Sequence, residues 1–187
     1  TSMKTISIIG FGWIGEPLGL HLSEMGWKVQ GSTTTPEKQE KLSQKGLHAI
    51  RFSFNPHPEG IGFNALFQSE VLVVNIPPRT RSGNGAFHLE QIKYLRGLID
   101  HSPIRKVIFV SSTGIYPEES SAEKYSENFP LSQENTGNET IFRVEQLMGK
   151  DRNFDLTIVR FGGLMGDDRI PGKYFSGKEN VAGHTRV

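Results

Sequence analysis

Three glycines near the start of the sequence have the clearest chemical meaning. Gly10, Gly12 and Gly15 form a G-x-G-x-x-G pattern directly after a run of β-branched residues and directly before a helical pattern. In this context the first glycine permits a tight turn, the second lets the backbone approach a pyrophosphate, and the third lets helix and strand pack closely. Free N–H groups and the positive end of the helix dipole then face the phosphates. The pattern predicts a dinucleotide site; the alternative is a glycine-rich turn without a ligand.

A second signal lies about 20 residues further along, where a site for NAD usually carries an Asp or Glu that binds both ribose hydroxyls. This sequence has hydroxyl groups there instead, at Ser32, Thr33 and Thr34, followed by Lys38. These groups accept the 2′-phosphate of NADP better than a carboxylate would. NADP is therefore the expected cofactor, with NAD as the alternative. Thr35 can at the same time cap the helix that follows.

A cluster of hydroxyl groups follows a later apolar run. Ser111, Ser112 and Thr113 come directly after Lys106–Val110 (KVIFV). In an open α/β sheet the carboxyl ends of the strands face the ligand crevice, where a hydroxyl group can hydrogen-bond a carbonyl group or a ribose. The cluster is thus a candidate part of the site, and an ordinary polar turn is the alternative.

Alternating apolar runs and helical patterns must position these residues. The expected fold class is α/β, a Rossmann-type doubly wound parallel sheet, because strands that alternate with helices form right-handed βαβ units. Asn75, Ile76 and Pro77 end the fourth strand, where this fold passes the adenine ribose; Asn75 either lines the cofactor or satisfies a backbone group. Two segments, Asn55–Gly62 and Pro117–Gln133, are expected to be loops. The predicted strands are Lys4–Ile9, Trp27–Thr33, His48–Phe54, Val71–Ile76, Lys106–Val110 and Leu156–Val159.

Several segments together resemble the extended short-chain dehydrogenase/reductases, the NAD-dependent epimerase/dehydratase family. Ser111–Tyr116 (SSTGIY) resembles the S-S-x-x-V-Y segment of that family, and Glu127–Pro130 (ENFP) resembles its E-x-x-P. Leu156–Gly166 (LTIVRFGGLMG) resembles its sixth strand and the Arg-x-x-x-x-x-Gly that follows. The match is best for an atypical bacterial subgroup with a G-x-G-x-x-G motif, which Pro171–Lys178 (PGKYFSGK) also resembles.

The resemblance implies a catalytic role for Ser112, which would orient a substrate carbonyl. The family also uses a Tyr-x-x-x-Lys pair on the next helix for proton transfer. Counted back from Glu145, the two positions hold Gly137 and Ile141, so that pair is missing. A literal Tyr-x-x-x-Lys occurs at 174–178, but glycines flank it, and a helix that presents both side chains on one face is not expected there.

Composition narrows the remaining classes of function. The 187 residues suit one dinucleotide-binding domain over 3–165, with 166–187 as the start of a substrate lobe that is missing or truncated. A net charge of +1 disfavours nucleic acid as a partner, and no apolar run approaches the roughly 18 residues of a membrane helix. The sequence has no cysteine, and its histidines are scattered, so no metal site is expected. The expected location is cytoplasmic, and the sequence does not determine the oligomeric state.

Three hypotheses remain open. The first is an oxidoreductase or epimerase of unknown substrate with a non-standard proton donor, and the second is a non-catalytic NADP-binding or sensor protein. The third is an enzyme similar to 3-hydroxyacid dehydrogenases, which the segment after the fifth strand disfavours. The predicted catalytic residue is Ser112. The predicted cofactor-binding residues are Gly10, Phe11, Gly12, Trp13, Ile14, Gly15, Ser32, Thr33, Thr34, Lys38, Asn75, Ile76, Pro77 and Ser111.

Overall fold

The computed structural model describes residues 3–78, 85–118 and 125–163. The strands in these ranges are β1 (Thr5–Ile9), β2 (Lys28–Thr33), β3 (His48–Phe54), β4 (Pro58–Gly60), β5 (Val71–Val74), β6 (Lys106–Ser112) and β7 (Asp155–Phe161). They form one sheet in the order β4-β3-β2-β1-β5-β6-β7. All neighbouring strands are parallel except β4, which runs antiparallel to β3. Without β4 the order is that of a doubly wound dinucleotide-binding sheet, so the predicted fold class is confirmed.

Helices cover both faces of this sheet, and local sequence signals set their ends. The α-helices in the described ranges are α1 (Gly15–Glu24), α2 (Pro36–Gln44), α3 (Gly85–Asp100) and α4 (Glu139–Gly149), and 3₁₀ helices span Phe63–Gln68 and Thr113–Ile115. The Thr35 hydroxyl accepts a hydrogen bond from the backbone N–H of Lys38 at 3.3 Å and caps α2, as predicted. Gly26 and Gly46 follow α1 and α2 with φ of +91° and +83°, a conformation that favours glycine.

Apolar side chains fill the space between the helices and the sheet on each face. One cluster lies on the side of α3 and α4 and includes Leu72, Leu95 and Met148. The other lies on the side of α1 and α2 and includes Ile8 and Leu42. Since both faces are covered, the central strand β5 is continuously apolar (VLVV), whereas β2 (KVQGST) carries several polar residues.

Five of the six predicted strands begin or end one or two residues away from their observed bounds, and a seventh strand was not predicted. Asn55–Gly62, which was expected to be a loop, contains β4, and this strand pairs with β3 through its backbone. The proline that favours a loop in the sequence is the first residue of this strand, where a missing N–H is tolerated. It therefore does not prevent the strand from pairing. The fourth predicted strand ends at Val74 rather than Ile76, because its partner β1 ends opposite at Ile9.

Candidate functional site

A cavity of about 510 Å³ opens where the carboxyl ends of the parallel strands meet. The turn after β1, the ends of β2, β5, β6 and β7, and the start of α2 border it. Val110, Phe161 and Gly162 line it without having been predicted. The structure brings together these predicted residues in its lining: Gly10, Phe11, Gly12, Trp13, Ile14, Ser32, Thr33, Thr34, Lys38, Asn75, Pro77, Ser111 and Ser112.

The glycine loop after β1 has the geometry that its pattern predicted. Gly10 has a φ of +98°, and a side chain there would clash with the Asn75 carbonyl oxygen. A Cβ atom on Gly15 would clash with the Gly10 carbonyl oxygen and lie 3.1 Å from Cγ2 of Ile8, so Gly15 lets α1 pack against β1. A Cβ atom on Gly12, in contrast, would meet no heavy atom within 4 Å. The fold therefore requires the first and third glycines, whereas the second leaves open space beside the cavity.

Two hydrogen bonds and one buried ring hold this loop against β2. The backbone N–H of Phe11 donates to the Ser32 carbonyl oxygen (2.8 Å), and the N–H of Gly10 donates to the Ser32 hydroxyl oxygen (2.9 Å). The Phe11 side chain is 2% exposed and occupies the space beside Gly19 and Gly31. A Cβ atom on Gly19 would lie 2.9 Å from the ring, and a Cβ atom on Gly31 would clash with it. Phe11 therefore borders the cavity with its backbone, while its ring belongs to the core.

The end of β2 offers hydroxyl groups and a lysine to the cavity. Ser32 and Thr33 are buried, Thr34 is exposed, and Lys38 on α2 is half-buried. Because the Ser32 oxygen already accepts the Gly10 N–H, Thr34 and Lys38 are the more accessible polar residues at this end. Among the described residues that line the cavity, none is an aspartate or glutamate.

Ser111 and Ser112 are neighbours at the end of β6, and both line the cavity. The Ser111 hydroxyl donates to Oε2 of Glu145 on α4 at 2.6 Å. The Ser112 hydroxyl oxygen accepts the backbone N–H of Gly114 at 3.0 Å. In the described part of the chain no acceptor takes the Ser112 proton, so this proton is available to a ligand in the cavity.

An ion pair between a buried carboxylate and a half-buried arginine lies behind these serines, and it was not predicted from the sequence. Glu145 is 5% exposed, and Arg160 on β7 contacts both oxygens of its carboxylate at 2.7 to 3.2 Å. The hydrogen bond with Glu145 raises the pKa of the Arg160 guanidinium above its usual value. Arg160 also donates to the Tyr116 hydroxyl (2.9 Å), which donates to the Ser126 carbonyl oxygen (3.2 Å). One signal was available, because a half-buried arginine that follows the apolar residues Ile158 and Val159 needs an opposite charge nearby.

The position implied for a catalytic tyrosine cannot hold a side chain. Gly137 does not lie on the helix, as the count from Glu145 had placed it, because α4 begins after the cap residue Asn138. A Cβ atom on Gly137 would clash with the Tyr116 carbonyl oxygen and lie 2.9 Å from that of Gly114. The segment before α4 therefore packs against the turn after β6 too closely for any residue larger than glycine.

The remaining predicted residues lie away from the cavity or outside the described ranges. Ile76 packs against the core cluster beside α3 and α4. Tyr174, Lys178 and the segment 166–187 lie outside the described residues. Within the described ranges no three His, Asp or Glu side chains are arranged to hold a metal ion. The longest helix there, α3, has 16 residues, and the described chain has no helix long and apolar enough to cross a membrane.

Solved structures of nucleotide-sugar epimerases and short-chain dehydrogenase/reductases are similar to this chain. UDP-glucose 4-epimerase from Bifidobacterium longum, solved with NAD⁺ and UDP, has a TM-score of 0.65 at 15% identity over 86% of this chain and 53% of its own. A short-chain dehydrogenase/reductase superfamily protein from Agrobacterium tumefaciens with bound NAD has a TM-score of 0.65 at 19% identity over 84% of this chain and 49% of its own. The chain has their fold. This is the fold of the family that the sequence motifs resemble.

A curated bacterial protein is similar in sequence over most of the chain. Protein YeeZ of Escherichia coli K12 is 31% identical over 179 residues, which is 94% of this chain and 64% of YeeZ. The chain thus spans less than two thirds of the length of this relative, and about half of the two solved structures. No family model matches the sequence.

Proposed function

We propose that the cavity binds a nicotinamide dinucleotide with its pyrophosphate at the glycine loop. The observation that carries this proposal is the backbone of Gly12, which borders the cavity and has open space where a side chain would stand. The start of α1 suits a phosphate, because the positive end of the helix dipole lies there. Bound NAD in two solved structures of the same fold supports the same assignment.

We further propose that NADP binds in preference to NAD. A carboxylate at the end of β2 would hydrogen-bond the ribose of NAD and repel the extra phosphate of NADP, and none lines the described cavity. Lys38 and Thr34 border the cavity at this end and would hold the 2′-phosphate. A hydrogen bond to a charged group contributes about 1.5 to 3 kcal/mol, which corresponds to a preference of roughly ten- to a hundredfold.

Calorimetric titration of the chain with NADP and NAD at equal salt concentration tests both proposals. Lys38→Ala should reduce the affinity for NADP to near that for NAD and leave NAD binding unchanged. Lys41→Ala is the matched control, because Lys41 is exposed on the same helix and does not line the cavity. Tighter binding of NAD by the unmodified chain would overturn the preference, and no binding of either ligand would overturn the site.

For the reaction, we propose an oxidoreductase or epimerase whose dinucleotide-binding domain comprises residues 3–165, with a substrate lobe that starts at 166. When bound, the nicotinamide would supply hydride transfer. Ser112 has a proton available for a substrate carbonyl and would orient it, as the family resemblance implies. NADPH consumption by a full-length chain, which includes the substrate lobe, with a panel of aldehydes and ketones tests this, and Ser112→Ala in that chain should abolish turnover while NADPH still binds.

A non-catalytic dinucleotide-binding protein is the second candidate, and the packing at Gly137 favours it. The usual tyrosine cannot stand there without moving the turn after β6, so proton transfer needs another group. Tight binding of NADPH without turnover of any carbonyl in the panel would support this candidate. Turnover that depends on Ser112 would exclude it.

A further inference from the structure

The Ser111 hydroxyl is oriented by a buried carboxylate. Its proton is donated to Oε2 of Glu145 at 2.6 Å, and Glu145 is 5% exposed. Arg160 donates Nε and Nη2 to the same carboxylate and fixes its position. A serine hydroxyl has one proton and two lone pairs, so lone pairs are what Ser111 retains for a ligand.

We infer that Ser111 acts in the cavity as a hydrogen-bond acceptor, and that Glu145 is the positioning residue that sets this polarity. The inference rests on the proposed function of the cavity. The ligand group that meets Ser111 must then be a donor, an amide N–H or a hydroxyl group, because two acceptors facing each other repel. Ser112 has the opposite polarity, since its oxygen accepts the Gly114 N–H and its proton is available.

The donor belongs to the half of the dinucleotide beyond the pyrophosphate. In the sheet, β1 lies between β2 and β5, and β6 follows β5. With the pyrophosphate at the end of β1 and the adenosine half over the end of β2, the other half extends toward the end of β6, where Ser111 lies. That half carries ribose hydroxyls and a carboxamide, which are the two kinds of donor that Ser111 can accept.

Three ligands titrated into the chain by calorimetry test the inference. NADP⁺ has both donors, its 3-acetylpyridine analogue lacks the amide N–H, and adenosine 2′,5′-bisphosphate lacks that half of the molecule. Ser111→Ala should weaken NADP⁺ about three- to tenfold, the effect of one hydrogen bond, and leave adenosine 2′,5′-bisphosphate unchanged. If the acetylpyridine analogue is weakened equally, the donor is a ribose hydroxyl; if it is unaffected, the donor is the carboxamide.

Variants of Glu145 test its positioning role. Glu145→Gln brings an amide N–H that can donate to Ser111 and release the serine proton, so the polarity at Ser111 is lost. It should therefore reproduce the ligand pattern of Ser111→Ala, and the double variant should add no further loss for NADP⁺ relative to adenosine 2′,5′-bisphosphate. A purely structural role would instead weaken all three ligands alike.

Two further variants complete the design. Ser111→Thr retains the hydroxyl and should restore NADP⁺ affinity, and Ser102→Ala is the control because Ser102 donates to Ile99 away from the cavity. Unchanged NADP⁺ affinity in Ser111→Ala, or an equal loss for adenosine 2′,5′-bisphosphate, would overturn this inference and leave the proposed site intact. No binding of any ligand to the unmodified chain would overturn the proposed function and this inference together.

Discussion

Gly12→Val introduces a branched side chain at the glycine of the loop that the fold does not require. Since a Cβ atom at this position meets no heavy atom within 4 Å, the folded chain should accept it with a change in unfolding free energy within about 0.5 kcal/mol. In a domain of this size such a change shifts the midpoint of thermal unfolding by less than about 2 °C. The added methyl groups occupy the space through which the pyrophosphate must approach. Preventing one charge-assisted hydrogen bond costs about 1.5 to 3 kcal/mol, so NADP affinity should fall roughly ten- to a hundredfold.

The matched control for this variant is Gly15→Ala, three residues along the same loop. A Cβ atom on Gly15 would clash with the Gly10 carbonyl oxygen, and such overpacking costs about 1 to 3 kcal/mol. This variant should lower the unfolding midpoint by roughly 2 to 10 °C. Calorimetric titration and thermal unfolding measure both variants. If Gly12→Val binds NADP as the unmodified chain does, the loop is not at the ligand; if its midpoint falls as far as that of Gly15→Ala, the argument from open space is wrong.

Two other predictions concern stability. His88 is 4% exposed and its burial lowers its pKa, so the folded state favours the neutral ring. The contribution of His88 to the unfolding free energy should be fully present above about pH 6.5 and decline as the pH falls below that value. Denaturant unfolding of His88→Gln as a function of pH should lack this part of the decline. Gly137→Ala should destabilise the chain by about 1 to 3 kcal/mol, because its Cβ atom would clash with the Tyr116 carbonyl oxygen. Gly97→Ala is its control, since a Cβ atom there meets nothing within 4 Å on α3, and it should stabilise the chain by about 0.5 to 1 kcal/mol. Equal unfolding free energies for the two alanine variants would contradict the packing argument.

The sequence predicts well those features whose cause is local. The glycine loop and the Thr35 cap of α2 each depend on residues within a few positions of one another. The strand order also follows, because alternating strands and helices have few ways to form a parallel sheet. The short strand β4 could not be predicted, because backbone hydrogen bonds hold it and the pattern of side chains does not indicate them.

The arrangement around the serines could not be predicted, because it depends on residues far apart in the chain. Ser111 and Glu145 are 34 residues apart, and Tyr116 and Arg160 are 44 apart. Motif spacing places Ser111 and Ser112 at the same edge of the sheet, but it cannot say that one hydroxyl donates inward and the other accepts. The direction of a hydroxyl proton is set by its three-dimensional neighbours.

The ring of Phe11 holds the glycine loop against α1 and β2. It occupies space that exists because Gly19 on α1 and Gly31 on β2 have no side chains. The loop is thus ordered when the chain folds, so no binding free energy is lost in ordering it when a ligand binds. The three positions should also change together in evolution, and we expect a relative with alanine at position 31 to carry a smaller residue at position 11.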